Sequence, residues 1–513
     1  MLRSWKERCA NRKEEAGFNQ FQTWHILILI LFVAFSLRIV LIFQPEVIHS
    51  DGAEYIRHAK EVSAGNWMGG VSGPVYPALI SLGSLFVKDY ELAGIWISVI
   101  FGSLLILPVF YLGKVIFNEK VGILSALLST VHPYLYGFSG SVLTESTYYF
   151  LLTTSVLFGW EAFKKGRVHH VFLFGLFSTL TFLTKPEGIG LIPIFSFWIL
   201  WMNPSQGGRP WIKRIGIFVL AVFCFLLFSS PYLTSLKKEL GGWRVSKKAA
   251  VTIEGFSKGQ SEAEGPKINL EPFFRNPFPL LGKVGFGFLA SFYRFQQAFH
   301  PILFLLAIFG WIGIFRNRSS GDVKGSFYIF THHIFLFGFV LPFFLINRRY
   351  VSQMVAISLP WAAFGCLEVE GWASRWFKKE GLEKRVSFVL FLALLCGLFI
   401  QGIVGSTSDG RLMEKEAGLW MKENLPRGSK IMSRMPQEAF YSELGWTRIP
   451  GKDYEEVLKT ARSTGVRYLV IDEKIEEVSS GFWEKIKDTD LVLLKELRVE
   501  GQKIAIFEIT YPK

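Results

Sequence analysis

Apolar residues in this chain run in long unbroken stretches, and a stretch of roughly 20 such residues is what a membrane-crossing helix needs. On that criterion spans are predicted at 24–43, 92–117, 121–138, 143–163, 168–184 and 188–202. Further spans are predicted at 215–233, 299–315, 327–346, 351–367 and 386–404. That makes about eleven, with ten to thirteen as the range, because the fifth and sixth are short and can form one hairpin around 184–188. The predicted fold is an α-helical polytopic membrane protein: a tail at 1–23, a transmembrane region at 24–404 with long loops at 44–91 and 234–298, and a separate domain at 405–513.

The last hundred or so residues change character. Strands are predicted at 430–433, 467–472, 491–499 and 503–509, and helices at 413–424 and 453–463, which together make a small α/β domain. The Lys- and Gly-rich stretch 237–267 is expected to be mobile. The tail carries Arg3, Lys6, Arg8, Arg12 and Lys13 before an apolar run too long for a signal-peptide core, so the first span is expected to stay uncleaved.

Composition agrees with a membrane class: half of the 513 residues are apolar, 50 of them Phe and 16 Trp. The net charge of +14 does not point to nucleic acid, because Lys and Arg sit in short clusters between apolar runs rather than in one basic domain. Threading the spans alternately puts the tail, Lys164/Lys165/Arg167, Arg209/Lys213/Arg214, Arg316/Arg318/Lys324 and the cluster from Arg375 to Arg385 on one side, which is then the cytoplasm. Loops 44–91 and 234–298, the turns at 139–144, 185–187 and 347–350, and the C-terminal domain fall outside. The four cysteines lie in the tail or in apolar runs, so no disulfide framework is implied.

The candidate chemistry lies on the outer side. Asp51, in His49-Ser50-Asp51-Gly52-Ala53-Glu54-Tyr55, opens an amphipathic segment expected to lie on the membrane surface, with Tyr55, Ala59 and Val62 at helical spacing. Asp51 is expected as its N-cap, with Glu54 completing a capping box. The same carboxylate is a candidate general base that takes a proton from an acceptor hydroxyl or amine. Glu145 starts the fourth span, where a first-turn acid is also favoured by the helix dipole.

Lys185, Arg348 and Arg349 are cations on the outer face, against the positive-inside tendency; they either snorkel to the interface or bind phosphate. Arg38 lies about five residues inside the outer end of the first span, where a charge is costly to bury without a partner, and either pairs with the acidic cluster or snorkels. His132, His169/His170 and His332/His333 lack a companion ligand set at metal spacing. Two carboxylates near a phosphate leave room for a divalent metal, but nothing in the spacing demands one. No phosphate-binding Gly-rich loop and no Ser-centred nucleophile elbow occur, which disfavours nucleotide hydrolysis and serine-hydrolase chemistry.

In order along the chain stand Asp51-x-x-x-Tyr55, Gly73-Pro74-Val75-Tyr76-Pro77, Leu143-Thr144-Glu145-Ser146, Thr184-Lys185-Pro186-Glu187-Gly188 and Arg349-Tyr350. This order resembles the GT-C superfamily of polytopic glycosyltransferases, in the branch containing protein O-mannosyltransferases and bacterial lipid A aminoarabinose transferases. The resemblance spans roughly 24–404.

It implies Asp51 as catalytic base and Glu145 as the second acid. Lys185, Arg348 and Arg349 then stand near the donor phosphate with Tyr350 beside them, and Glu54, Tyr55 and Arg38 complete the substrate-binding set. The implied reaction is an inverting transfer of a sugar from a polyprenyl phosphate donor to a lipid, glycan or protein acceptor outside the membrane.

Two departures matter. The O-mannosyltransferases have adjacent Asp and Glu in the first loop, whereas Gly52 follows Asp51 here, so a protein acceptor is not supported. Lys185 stands where Arg is common, which keeps the charge and loses the fork. The alternative from another class is a transporter or flippase of a lipid-linked sugar, disfavoured because the polar residues lie at outer loops and no repeated halves are visible.

Overall fold

The computed structural model describes residues 20–43, 47–67, 73–202, 209–247, 278–317, 320–343, 346–373, 382–406, 412–450, 454–475, 486, 490–499 and 502–510. The tail, Cys9 and most of the stretch 237–267 lie outside the described residues.

The chain is mostly helical. Its first helices are α1 (Gln20–Ile39), α2 (Ser50–Ser63), α3 (Val75–Val87), α4 (Tyr90–Leu104), α5 (Ile106–Ile116), α6 (Glu119–Val131) and α7 (Pro133–Gly137). Then come α8 (Glu145–Lys165), α9 (Val168–Thr184), α10 (Leu191–Trp201), α11 (Trp211–Leu240), α12 (Phe278–Ala298), α13 (Pro301–Asn317), α14 (Ser320–Ile334), α15 (Arg348–Val351), α16 (Val355–Ala373) and α17 (Leu382–Ser406). Local chemistry sets several ends. Asp89 and Asn118 accept from the amides of Leu92 and Val121 at 2.9 and 3.0 Å and so cap α4 and α6, and Gly166 closes α8 in the left-handed region at φ 64°.

Six helices among the described residues are long and apolar enough to cross a membrane, or up to eight if each sharply bent pair is one span. Their exposed faces carry large apolar side chains, such as Ile28, Leu29 and Phe32 on α1 and Phe388, Val389 and Leu390 on α17. Such surfaces suit lipid as solvent. The chain is an integral, multi-pass membrane protein. Three of the about eleven predicted spans are not among these: α9 and α10 are individually short, because the chain turns through a 3₁₀ segment at Pro186–Gly190, and α8, though 21 residues long, does not meet the apolar criterion. The long loop is also shorter than expected, since α11 runs on to Leu240 and α12 begins at Phe278.

Contacts divide the chain into two compact units. One comprises Met1–Ile42, His58–Gly140 and Thr144–Gly405; the other comprises Phe43–Arg57, Ser141–Leu143 and Ser406–Lys513. The residues around Asp51 thus group with the C-terminal residues.

The C-terminal part contains α18 (Leu412–Asn424), β1 (Lys430–Ser433), α19 (Gln437–Ser442), β2 (Gly445–Arg448), α20 (Tyr454–Thr464), β3 (Tyr468–Asp472), β4 (Leu491–Val499) and β5 (Gln502–Ile509). The sheet order is β2-β1-β3-β5-β4, with β1 parallel to β2 and β3, and β5 antiparallel to β3 and β4. Successive strand residues point to opposite faces. Ile431, Tyr468, Val470, Ile504 and Ile506 pack with Met413, Ala417 and Met421 of α18, while Met432, Leu469, Ile471, Ala505 and Phe507 pack with Val457, Leu458 and Ala461 of α20. The result is a three-layer α/β domain.

One buried acid in this domain responds to pH. Burial pushes the Glu438 carboxyl up to about 8, and the negative charges of Glu414 and Asp472 push in the same direction. An acid raised in the folded state keeps its proton where the unfolded chain has lost it. The stability it allows is therefore full at acid pH and falls as pH rises from the ordinary value of 4.5 toward 8. Amide-exchange protection of α19 and β1, corrected for intrinsic exchange rates, should decline over that window in the wild type and stay flat in Glu438→Gln.

Candidate active site

Glu145 is the first residue of α8 and is fully buried. Its Oε1 accepts from Lys185 Nζ at 2.8 Å and from Arg349 Nε at 2.6 Å. Lys185 and Arg349 keep 16% and 20% side-chain exposure, so both cations reach the surface of the unit while the carboxylate between them does not. Two cations thus share one oxygen of a single carboxylate. An anion is what such a cluster attracts, and partial burial strengthens the attraction.

Each member is fixed by its own local structure. Lys185 ends α9, and the turn after it is tight because a Cβ on Gly188 would lie 2.6 Å from the Phe182 nitrogen. Arg349 lies in α15, whose N-cap Asn347 accepts from the Tyr350 amide at 3.0 Å. Tyr148 and Tyr149 follow Glu145 at i+3 and i+4 and so share its helix face. Lys185 Nζ sits 5.5 Å from the centre of the Tyr148 ring, a cation–π arrangement. Tyr149 Oη and Ser352 Oγ are 2.6 Å apart, and Ser352 Oγ donates to the Arg349 carbonyl at 2.7 Å. Glu187 Oε2, buried two residues beyond Lys185, has no hydrogen-bond partner among the described residues. The tyrosine spacing from Glu145 was readable in the sequence; the Ser352 contact was not.

Of the predicted cations, Arg348 goes elsewhere. Its Nε donates to Gln297 Oε1 at 3.0 Å, and the Tyr350 ring packs against the apolar core.

Arg38 is also outside the cluster. It is fully buried, and its guanidinium donates to Ser139 Oγ at 3.1 Å and to the carbonyls of Thr130, Ser129 and Ala34 at 3.1, 3.3 and 3.3 Å. The sequence pair His132-Pro133 stops α6, which leaves its last carbonyls without amide donors, and Arg38 supplies them. Neither snorkelling nor pairing with an acid describes it. Arg38→Met should lower the thermal midpoint of the detergent-solubilised protein, since a buried unsatisfied acceptor costs about 1–3 kcal/mol. An unchanged midpoint with weakened donor binding would return Arg38 to the substrate set.

Asp51 belongs to the other unit. Helix α2 starts at Ser50, so Asp51 stands in its first turn rather than at the cap. Its amide donates to His49 Nδ1 at 3.2 Å, and its Oδ2 lies 3.9 Å from the same nitrogen. About a third of the Asp51 side chain is exposed. Glu54 does not close a capping box; both its oxygens accept from Arg57, at 2.8 and 2.6 Å. Tyr55, Ala59 and Val62 are each buried.

Among the described residues no three His, Cys, Asp or Glu side chains converge as a metal site. Glu145 is moreover already engaged by two cations.

A family model described as dolichyl-phosphate-mannose-protein mannosyltransferase matches residues 71–234. The sequence has no significant match among curated proteins. Among solved structures, ArnT from Cupriavidus metallidurans bound to undecaprenyl phosphate is similar over 93% of this chain and 97% of its own, with TM-score 0.58 and 12% identity. The archaeal oligosaccharyltransferase AglB from Archaeoglobus fulgidus, in complex with an inhibitory peptide and a dolichol-phosphate, is similar over 95% of this chain and 74% of its own, with TM-score 0.59 and 14% identity. The chain has the GT-C glycosyltransferase fold. In this GT-C fold the similarity to ArnT extends over nearly the full length of both proteins, and the family-model match takes in Glu145 and Lys185.

Proposed function

We propose that this protein is a glycosyltransferase that moves a hexose or pentose from a polyprenyl phosphate to an acceptor on the extracytoplasmic face. The observation that carries the reading is the pair Lys185 and Arg349 held side by side on one oxygen of a buried carboxylate, both partly exposed. The undecaprenyl phosphate and dolichol-phosphate in the two similar structures support a lipid phosphate as the anion.

In the proposed reaction Asp51 accepts the proton of an acceptor hydroxyl or amine. The acceptor atom then attacks the anomeric carbon, the bond from that carbon to the phosphate oxygen breaks, and its electron pair leaves with the polyprenyl phosphate. Charge grows on the phosphate as it departs, so the fixed cations favour the transition state over the bound donor. Attack opposite the departing phosphate inverts the anomeric centre. Tyr148 holds Lys185 through its ring, and Glu187 Oε2 is suited to accept a hydroxyl of the donor sugar.

Purified wild type should transfer label from at least one member of a panel of polyprenyl phosphate sugars to components of membrane extracts. Binding of the donor lipid with no transfer, whatever the extract, would favour the transporter alternative.

A further inference from the structure

The C-terminal α/β domain takes no part in the chemistry above, yet it makes a specific contact to the segment that carries Asp51. Residues 43–57 group with 406–513 in one compact unit. Within that unit Tyr441, on α19, is 7% exposed, and its hydroxyl accepts from the Ile48 amide at 2.9 Å. Ile48 is 3% exposed, three residues ahead of Asp51, and its amide precedes the start of α2, where no intrahelical acceptor exists for it. The tyrosine is itself fixed. Lys415 Nζ lies 5.2 Å from the centre of its ring, and the Phe440 ring meets it edge-on at 5.1 Å.

The other side of Asp51 is fixed as well. A Cβ on Gly52 would fall 2.7 Å from the Val142 carbonyl oxygen and 2.9 Å from Ile48 Cγ1, so the backbone next to Asp51 packs at a distance only glycine allows. Asp51 therefore sits between an amide tied to Tyr441 and a backbone pressed on Val142. The Asp51 side chain, about one-third exposed, thus stands on a backbone held on both sides.

We propose that the C-terminal domain is a positioning device for Asp51 and that Tyr441 is its positioning residue, acting through the hydroxyl that accepts from the Ile48 amide. The proposal rests on the reading of Asp51 as the general base. A base displaced by a fraction of an ångström transfers protons less well, and a misplacement of about 1 Å can cost on the order of 100-fold. The contact involves none of the cations assigned to the phosphate, so donor KM is expected to stay unchanged.

The test is a double-mutant cycle in the full-length protein, Tyr441→Phe with Asp51→Asn, reading kcat, donor KM and amide exchange at residues 47–52. Tyr441→Phe alone should lower kcat roughly tenfold with donor KM unchanged, and should speed exchange of the Ile48 amide roughly tenfold. In the Asp51→Asn background it should lower kcat no further, because a displaced base that is already absent cannot be displaced. Wild-type kcat in Tyr441→Phe, or an equal loss in both backgrounds, would overturn the positioning role and leave Asp51 as base. Wild-type kcat in Asp51→Asn would remove the base reading and the proposal with it. If Tyr441→Phe does not fold, Ile48→Pro deletes the donor instead of the acceptor and should give the same kcat loss with the same unchanged KM.

Discussion

Asp51→Asn is expected to lower kcat for sugar transfer roughly 100- to 10,000-fold, the range a positioned general base contributes. The amide keeps the size of the carboxylate and cannot take a proton. Its backbone contacts survive: the amide of residue 51 still donates to His49 Nδ1, and Gly52 still packs on Val142. Donor KM should stay within a few-fold of wild type, since the cations assigned to the phosphate, Lys185 and Arg349, are untouched. Steady-state transfer at saturating donor separates the two parameters. Retention of wild-type kcat would end the assignment of Asp51 as base, whatever the donor proves to be.

Glu145→Gln should have the second largest effect, and on stability as well as on activity. Removing one member of a buried ion pair leaves the rest uncompensated and costs about 3–5 kcal/mol. Here the member removed is the anion shared by Lys185 and Arg349, so two cations remain where their common counter-ion stood. The thermal midpoint should fall, and a polyprenyl phosphate should raise it more in the variant than in the wild type, because the ligand then supplies the missing negative charge. Equal ligand shifts in the two proteins would indicate that the phosphate binds away from this cluster. In the proposed mechanism, loss of Glu145 acts on the phosphate side and loss of Asp51 on the acceptor side. The first should therefore lower donor KM, in step with the larger ligand shift, while the second leaves it unchanged.

Several of the residues that converge were legible in the sequence. Glu145, Lys185 and Arg349 stood out as an acid and two cations at the ends of apolar runs, where charge needs a reason. Their convergence was not legible, because they lie 40 and 204 positions apart and short motifs carry no distance between them. Arg348 and Arg349 were indistinguishable in sequence. One residue of helical rotation sends the first to Gln297 and the second to Glu145.

Arg38 stood out as a charge inside the first span, yet its role depended on where α6 ends and which carbonyls that end exposes. The capping box at Asp51 and Glu54 failed for a similar reason. Arg57 lies one turn on from Glu54 and offers its carboxylate a charged partner, which outweighs a single backbone amide.

The sequence by itself determined the membrane class and the small α/β domain, whose predicted strands at 430–433 and 491–499 coincide with β1 and β4. It did so because hydropathy and strand alternation are local properties, read over one element at a time. It missed β2 and α19, of four and six residues, since segments that short carry too little period to stand out. Tertiary structure alone decided which charges share a carboxylate and which merely lie near in sequence. It alone joined the Ile48 amide to Tyr441, 393 residues away. Hydrogen bonds and ion pairs are short-ranged, so the partners of a polar side chain are fixed only when packing has brought distant elements to within about 3 Å.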